Sequence, residues 1–237
     1  MSSASPRLNA TVEFLGLPGV GKSTLSRKAA AELASERLRV TEPIRRINDR
    51  AGPYRILSKA RFAAEHHLRC PKSALATTHS LYAVNPGSST DHLRVAFNLQ
   101  YVAGVTARAH ATSGVTLLDQ GLYQGVWSIG LRSPTDWIQL LDRFDSVLSQ
   151  AAPDLVVLVE ADRETVADRL RARKDGDTRV VPDSPEFDRG VEGYEFIKNK
   201  LQSTDDTPAS IVVENETHAD LTAGADRIVE VVHSLPD

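Results

Sequence analysis

Several things are scarce in this chain of 237 residues, and each scarcity excludes a class of protein. There is a single cysteine, Cys70, so no disulfide can form within the chain, which fits a reducing cytoplasm. No apolar run approaches the ~20 residues that a membrane-spanning helix needs. There is no excess of basic residues: the net charge is −3, so no broad positive field exists to collect a nucleic-acid backbone. Internal repeats and low-complexity linkers are also missing. The N-terminal stretch Met1–Pro6 is short and polar without an apolar core, and reads as a frayed tail over residues 1–8 and not as a secretory signal. What remains is a chain long enough to bury a large core without staples.

Five short apolar runs alternate with longer helical stretches: Thr11–Leu15, Arg39–Thr41 with its neighbours, Val115–Leu118, Leu155–Val159 and Ile211–Val213. Runs of this length separated by helices predict parallel strands buried on both faces, hence a doubly wound α/β sheet. Ser133-Pro134-Thr135-Asp136 and Ser184-Pro185-Glu186 each combine a capping serine with proline at the first helical position. Thr217-His218-Ala219-Asp220 reads as a capping box opening a terminal helix. Residues 43–92, rich in arginine and histidine and cut by Pro53, Pro71 and Asn85–Ser89, read as a helical insertion over the acceptor side of a single domain.

The most specific motif follows the first strand. Gly16-Leu17-Pro18-Gly19-Val20-Gly21-Lys22-Ser23-Thr24 fits the phosphate-binding pattern G-x-x-x-x-G-K-[ST] in full, between a strand and a helix bearing Leu25, Ala29 and Leu33 on one face. The glycines let backbone N–H groups turn toward phosphate oxygens, and the following helix adds its positive end. Gly16, Gly19, Val20, Gly21, Lys22, Ser23 and Thr24 are therefore expected to hold Mg²⁺-ATP. Lys22 should bridge the β- and γ-phosphates, and Ser23 should ligate the magnesium.

Other motifs narrow the class. A GTPase needs N-K-x-D, and Asn199-Lys200-Leu201-Gln202 ends in glutamine within a helical stretch. A hydrolytic machine carries Asp-Glu after its acidic strand, whereas here Asp119 is followed by Gln120. Asp119 can still hold Mg²⁺ at the carboxyl edge of the sheet, or cap a helix, or both. Glu42, held extended before Pro43, can act as a base toward an acceptor hydroxyl or stand as a solvated strand-end acid. Arg169 and Arg173 lie i, i+4 on one helix face and can share a polyanion, or pair with Asp162, Glu164 and Asp168. The histidines show no metal-ligand spacing and read mostly as surface residues.

Taken in order, the motifs resemble the thymidylate kinase and deoxynucleoside kinase branch of the P-loop kinases over nearly the whole chain. Val40-Thr41-Glu42-Pro43 is similar to the Glu-Pro that ends their second strand, where in deoxynucleoside kinases the glutamate is the general base. Phe97-Asn98-Leu99-Gln100 resembles their F-x-x-Q, whose glutamine reads the nucleobase. Asp119-Gln120-Gly121 stands where they carry Asp-Arg-Tyr or Glu-Arg-Ser, with Gln120 in place of the arginine. Arg169-Leu170-Arg171-Ala172-Arg173 looks like the entry to their phosphate-clamping lid, expected over residues 163–190, although its second half is blurred in Lys174–Arg179.

The resemblance implies a three-layer P-loop fold with five parallel strands in the order 2-3-1-4-5 and a helical lid. It implies ATP and Mg²⁺ as cofactors and transfer of the γ-phosphate to a small-molecule acceptor, foremost a nucleoside or nucleotide. The catalytic set expected is Lys22, Glu42, Asp119, Arg169 and Arg173, with Ser23 and Asp119 on the metal. Glu42, Arg45, Gln100 and Gln124 are expected at the acceptor; Trp127 reads either as pocket lining or as core. Neither nucleic acid nor membrane is expected as a partner, and a homodimer is allowed. A kinase of the same fold for another metabolite, such as a sugar or antibiotic, and a regulatory nucleotide switch remain open.

Overall fold

A computed structural model describes residues 8–82, 84, 89–131, 133–172, 180–203 and 207–236. Five parallel strands form one sheet: β1 (Asn9–Leu15), β2 (Val40–Thr41), β3 (Gly114–Leu118), β4 (Leu155–Glu160) and β5 (Ala209–Glu214). They lie in the order β2-β3-β1-β4-β5, as the resemblance implies. Val12, Phe14, Leu15, Leu117, Leu118 and Leu155–Leu158 are essentially inaccessible, as strands covered on both faces require. Most of the tail 1–8 and all of 173–179, including Arg173 and Arg179 of the expected lid, lie outside the described residues.

Helices cover both faces. α1 (Lys22–Ser35) and α10 (His218–Ser234) pack together on one side, with Leu25, Ala29 and Leu33 facing inward at helical spacing. On the other side lie α5 (Ser89–His110), α6 (Leu122–Gly130), α7 (Trp137–Gln150) and α9 (Pro185–Ser203). Between β2 and α5 come α2 (Pro43–Asn48), α3 (Gly52–Arg69) and α4 (Pro71–Tyr82); α8 (Arg163–Arg171) follows β4. α3 packs closely along α5 because Gly104 has no side chain there: a Cβ would sit 2.2 Å from the Phe62 carbonyl oxygen.

Two of the helix starts stand where the caps put them. Thr217 and Asp220 form a reciprocal capping box on α10, and Ser184 accepts the Phe187 N–H at the start of α9. The third lies three residues further on. α7 begins at Trp137, capped by Asp136, whose side chain accepts from the Gln139 N–H, and not at Pro134 capped by Ser133. Arg189 of α9 is the physical reason. It donates to the carbonyls of Gly130, Ser133 and Thr135, and so uses acceptors that a helix from Ser133 would need for itself.

Candidate functional site

The phosphate loop leaves the carboxyl end of β1 and enters α1. Gly19 and Gly21 sit in the left-handed region at φ 96° and 92°, which side-chain-bearing residues avoid. Gly21 precedes α1 without a side-chain cap, so no side-chain acceptor competes with an anion for the first-turn N–H groups. Lys22 Nζ donates to the carbonyls of Gly16 and Leu17 at 2.6 and 2.9 Å, so the ammonium lies back over the loop. Ser23 and Thr24 are exposed at the helix start.

Beside the loop stand the ends of β3 and β2, the next strands in the sheet. Asp119 follows β3. Burial raises the pKa of its carboxyl, and the nearby Glu42 raises it further; Lys22 and a hydrogen bond with the Ser23 side chain pull it down. Its Oδ1 is buried with no hydrogen-bond partner. A buried acceptor left unmatched is costly unless something fills the place, and an oxygen-seeking cation fits. Ser23 and Asp119 are thus the residues that would hold Mg²⁺.

Glu42 follows β2 and is bonded by Arg45 from the first turn of α2. Glu42, at φ −126° and ψ 73°, stands at the N-cap of α2 ahead of Pro43, and the Arg45 Nε is a second buried polar atom without a partner. Tyr101 of α5 contributes a third, its hydroxyl, which lies close enough to Asp119 for the carboxylate charge to reinforce burial in raising the phenol pKa. Lys22, Ser23, Glu42, Arg45 and Asp119 are therefore brought together, with Tyr101 beside them.

Three expected residues are engaged elsewhere. Gln100 is buried with its amide committed at both ends: Oε1 to His66 Nδ1, Nε2 to the Ala74 carbonyl and the Thr78 hydroxyl. Burial lowers the His66 pKa, so this histidine is a neutral core residue and not a surface one. Gln124 accepts the Gly16 N–H at 3.2 Å, at the start of the phosphate loop. Arg169 reaches back from α8 to the carbonyls of Val20, Asn215 and Glu216, clamping the phosphate loop to the turn after β5. Trp127 takes its core reading: it is buried and donates to the Gly190 carbonyl.

Two residues that the sequence reading missed hold the surroundings of the site in place. Asn215 is buried and donates to the Val20 carbonyl at 2.6 Å. A Cβ on Gly21 would meet its Nδ2 at 2.2 Å, so Gly21 is needed for space as well as conformation. Asn215→Ala should cost ~1–3 kcal/mol of stability and raise the KM for nucleotide, because it leaves a buried carbonyl with only the longer bond from Arg169. Thermal melting and nucleotide titration read the two effects, and unchanged nucleotide binding would break the link.

Glu13 is the second. It lies inside β1 and accepts N–H bonds from Leu122, Tyr123 and Gln124 at the start of α6, just beyond Asp119. Burial drives its pKa up to about 8 against those bonds, so the folded state favours the neutral acid. A signal for it existed: an acid in the middle of a strand buried on both faces must have internal partners. Between its unfolded value near 4.5 and about 8, the folded state binds the extra proton, so stability should fall as pH rises through that window. Glu13→Gln should flatten the fall, since the amide oxygen still accepts the N–H bonds without titrating. Melting temperatures from pH 5 to 8 that stay parallel for the two proteins would count against this role.

A family profile described as an AAA domain matches residues 12–196, which spans the loop, both acidic strand ends and most of α9. No curated protein matches the sequence significantly. Among solved structures, the chain is similar to deoxyadenosine kinase from M. mycoides with the products dCMP and dCDP bound: 13% identity, 95% of this chain and 100% of that chain covered, TM-score 0.58. The same enzyme with dATP bound gives 16% identity, 94% and 99% coverage, and a TM-score of 0.56. At these identities the likeness establishes the fold alone, a five-stranded parallel P-loop sheet with helices on both faces.

Proposed function

Because this chain belongs to the AAA domain family, with its phosphate loop entire, we propose that it transfers the γ-phosphate of Mg²⁺-ATP to a hydroxyl of a small acceptor, a nucleoside first among candidates. The observation that carries the reading is the convergence of Lys22, Ser23, Asp119 and Glu42 at the ends of three adjacent strands. Phosphoryl transfer demands little covalent chemistry from a protein and much positioning of charge.

Each residue then has a role its surroundings support. Lys22, already among loop carbonyls, exchanges those bonds for phosphate oxygens. Ser23 and Asp119 would hold magnesium, which would supply charge neutralisation at the phosphates. Glu42 takes the proton from the acceptor hydroxyl as that oxygen bonds to the γ-phosphorus and the bond to the β–γ bridging oxygen breaks, releasing ADP. Arg45 keeps the Glu42 carboxylate oriented. Arg169 supports the loop and α8 against the turn after β5. A transition-state cation from the lid is assigned to Arg173, which lies outside the described residues.

Gln120, exposed where the similar kinases carry arginine, favours a second reading of the acceptor: a sugar or antibiotic hydroxyl in place of a nucleoside's. Labelled ATP with a panel of nucleosides, nucleoside monophosphates, sugars and aminoglycosides tests both. Nucleoside-dependent ADP release supports the first and turnover of sugars or antibiotics alone the second. Tight nucleotide binding without acceptor-dependent ADP would leave a nucleotide switch instead of a kinase.

A further inference from the structure

With the Gln100 amide committed to protein groups at both ends, some other side chain must do the reading. α5 shows which. Asn98 and Tyr101 are three residues apart, on a different face from Gln100, and both meet α3: Lys59 Nζ donates to Asn98 Oδ1 at 3.3 Å and lies 5.0 Å from the Tyr101 ring centroid. Phe62 packs against the same ring edge-on, at 6.3 Å and 71°. The Tyr101 hydroxyl, on a residue only 2% exposed, has no hydrogen-bond partner, and it senses Asp119. α5 packs against α2 and α6, the helices that follow Glu42 and Asp119, so Tyr101 stands on the reaction side of α5 with Asn98 one turn earlier.

The chemistry of the set is one-sided. An ammonium has only donors, so Lys59 can face only the carbonyl end of the Asn98 amide. It thereby fixes which way the amide points and leaves the two Nδ2 hydrogens for a ligand. A phenol is a donor at neutral pH and adds a third. The positive charge of Lys59 favours an oxygen and opposes another N–H. The Tyr101 face is occupied by Lys59, so it serves poorly as a stacking platform. Gln100, whose amide could have offered an acceptor, is consumed by His66, Ala74 and Thr78.

We propose that Asn98 and Tyr101, set by Lys59, select the acceptor by a carbonyl oxygen: among nucleosides, a 4-oxo pyrimidine or 6-oxo purine over its amino counterpart. This rests on the nucleoside reading of the site. The physical basis is asymmetric: an amino group would set N–H against N–H and leave the buried donors unmatched, which a polar site penalises more heavily than a mere loss of fit.

The test reads binding and not turnover, so its outcome is separate from whether phosphate is transferred. Calorimetric titrations of the full chain with Mg²⁺ and a non-hydrolysable ATP analogue would use two pairs, uridine against cytidine and inosine against adenosine. The oxo member of each should bind at least ~10-fold more tightly. Asn98→Ala should bring both ratios within about threefold of unity, and Asn98→Asp, which presents acceptors only, should invert them. Tyr101→Phe, which keeps the ring packing, should weaken the oxo members without strengthening the amino ones. Melting curves confirm that each variant is folded. Equal affinity or an amino preference in the unaltered protein, ratios unmoved by Asn98→Ala, or no binding of any of the four would overturn the assignment. Efficient phosphorylation of cytidine or adenosine would overturn it too while leaving the phosphotransferase reading intact; ATP consumption independent of any acceptor would overturn that reading and leave the binding ratios to stand.

Discussion

Lys22→Ala should cut phosphoryl transfer by at least ~100-fold, the scale expected when one charge stabiliser is removed from a developing phosphoryl transition state. The fold should survive, because the side chain is only partly buried and its bonds run to two carbonyls of its own loop. The variant should also carry a pH signature. Lys22 is one of the groups that lower the Asp119 pKa, opposing burial and Glu42. Without it the carboxyl holds its proton to higher pH, so the residual activity should fall off earlier on acidification than in the unaltered protein. Turnover of labelled ATP across pH, alongside melting curves, measures both. Near-normal turnover would mean that the chemistry lies away from this loop.

Glu42→Gln should lower kcat ~10²–10⁴-fold with little change in ATP affinity, provided the acceptor is a hydroxyl. A hydroxyl near neutral pH is a poor nucleophile and gains from a positioned base. A phosphate acceptor already carries ionised oxygens and would call on Arg45 instead. The two side chains form one pair, with Glu42 the more buried at 12% exposure against 40% for Arg45, so each variant also disturbs the other's orientation. With a hydroxyl acceptor, Arg45→Ala should be the milder of the two, lowering kcat by letting Glu42 wander. With a monophosphate acceptor the ranking reverses, and Arg45→Ala chiefly raises the acceptor KM. A silent Glu42→Gln beside a crippled Arg45→Ala would move the assignment to a phosphate acceptor.

Gln100, Gln124 and Arg169 have one feature in common. Each is hydrogen-bonded to protein groups that its place in the sequence does not reveal. Spacing along a helix says which residues share a face, but not which neighbour that face meets. For Gln100 that neighbour is the α3–α4 corner, where a buried histidine needs an acceptor; for Arg169 it is the turn after β5, whose carbonyls have no strand to pair with. The start of α7 is a similar case: Ser133 and Asp136 are both good caps, and Arg189, distant in sequence, decides between them.

What the sequence determined by itself is local or periodic. The five strands come from runs of apolar residues, the phosphate loop from glycines that permit left-handed backbone next to Lys22 and Ser23, and the starts of α9 and α10 from serine and threonine caps within reach of their own N–H groups. The adjacency of Glu42, Asp119 and the loop follows from strand order, which the motifs implied. Only the tertiary structure decided which polar side chains the core consumes and which it leaves unmatched. Glu13, Asn215 and Gln100 are satisfied by groups far along the chain, whereas Tyr101, Asp119 and Arg45 each keep a buried polar atom without a partner. The reason is that a buried polar atom must find its hydrogen bond wherever packing brings a partner, and packing is a property of the whole chain, not of any stretch of it.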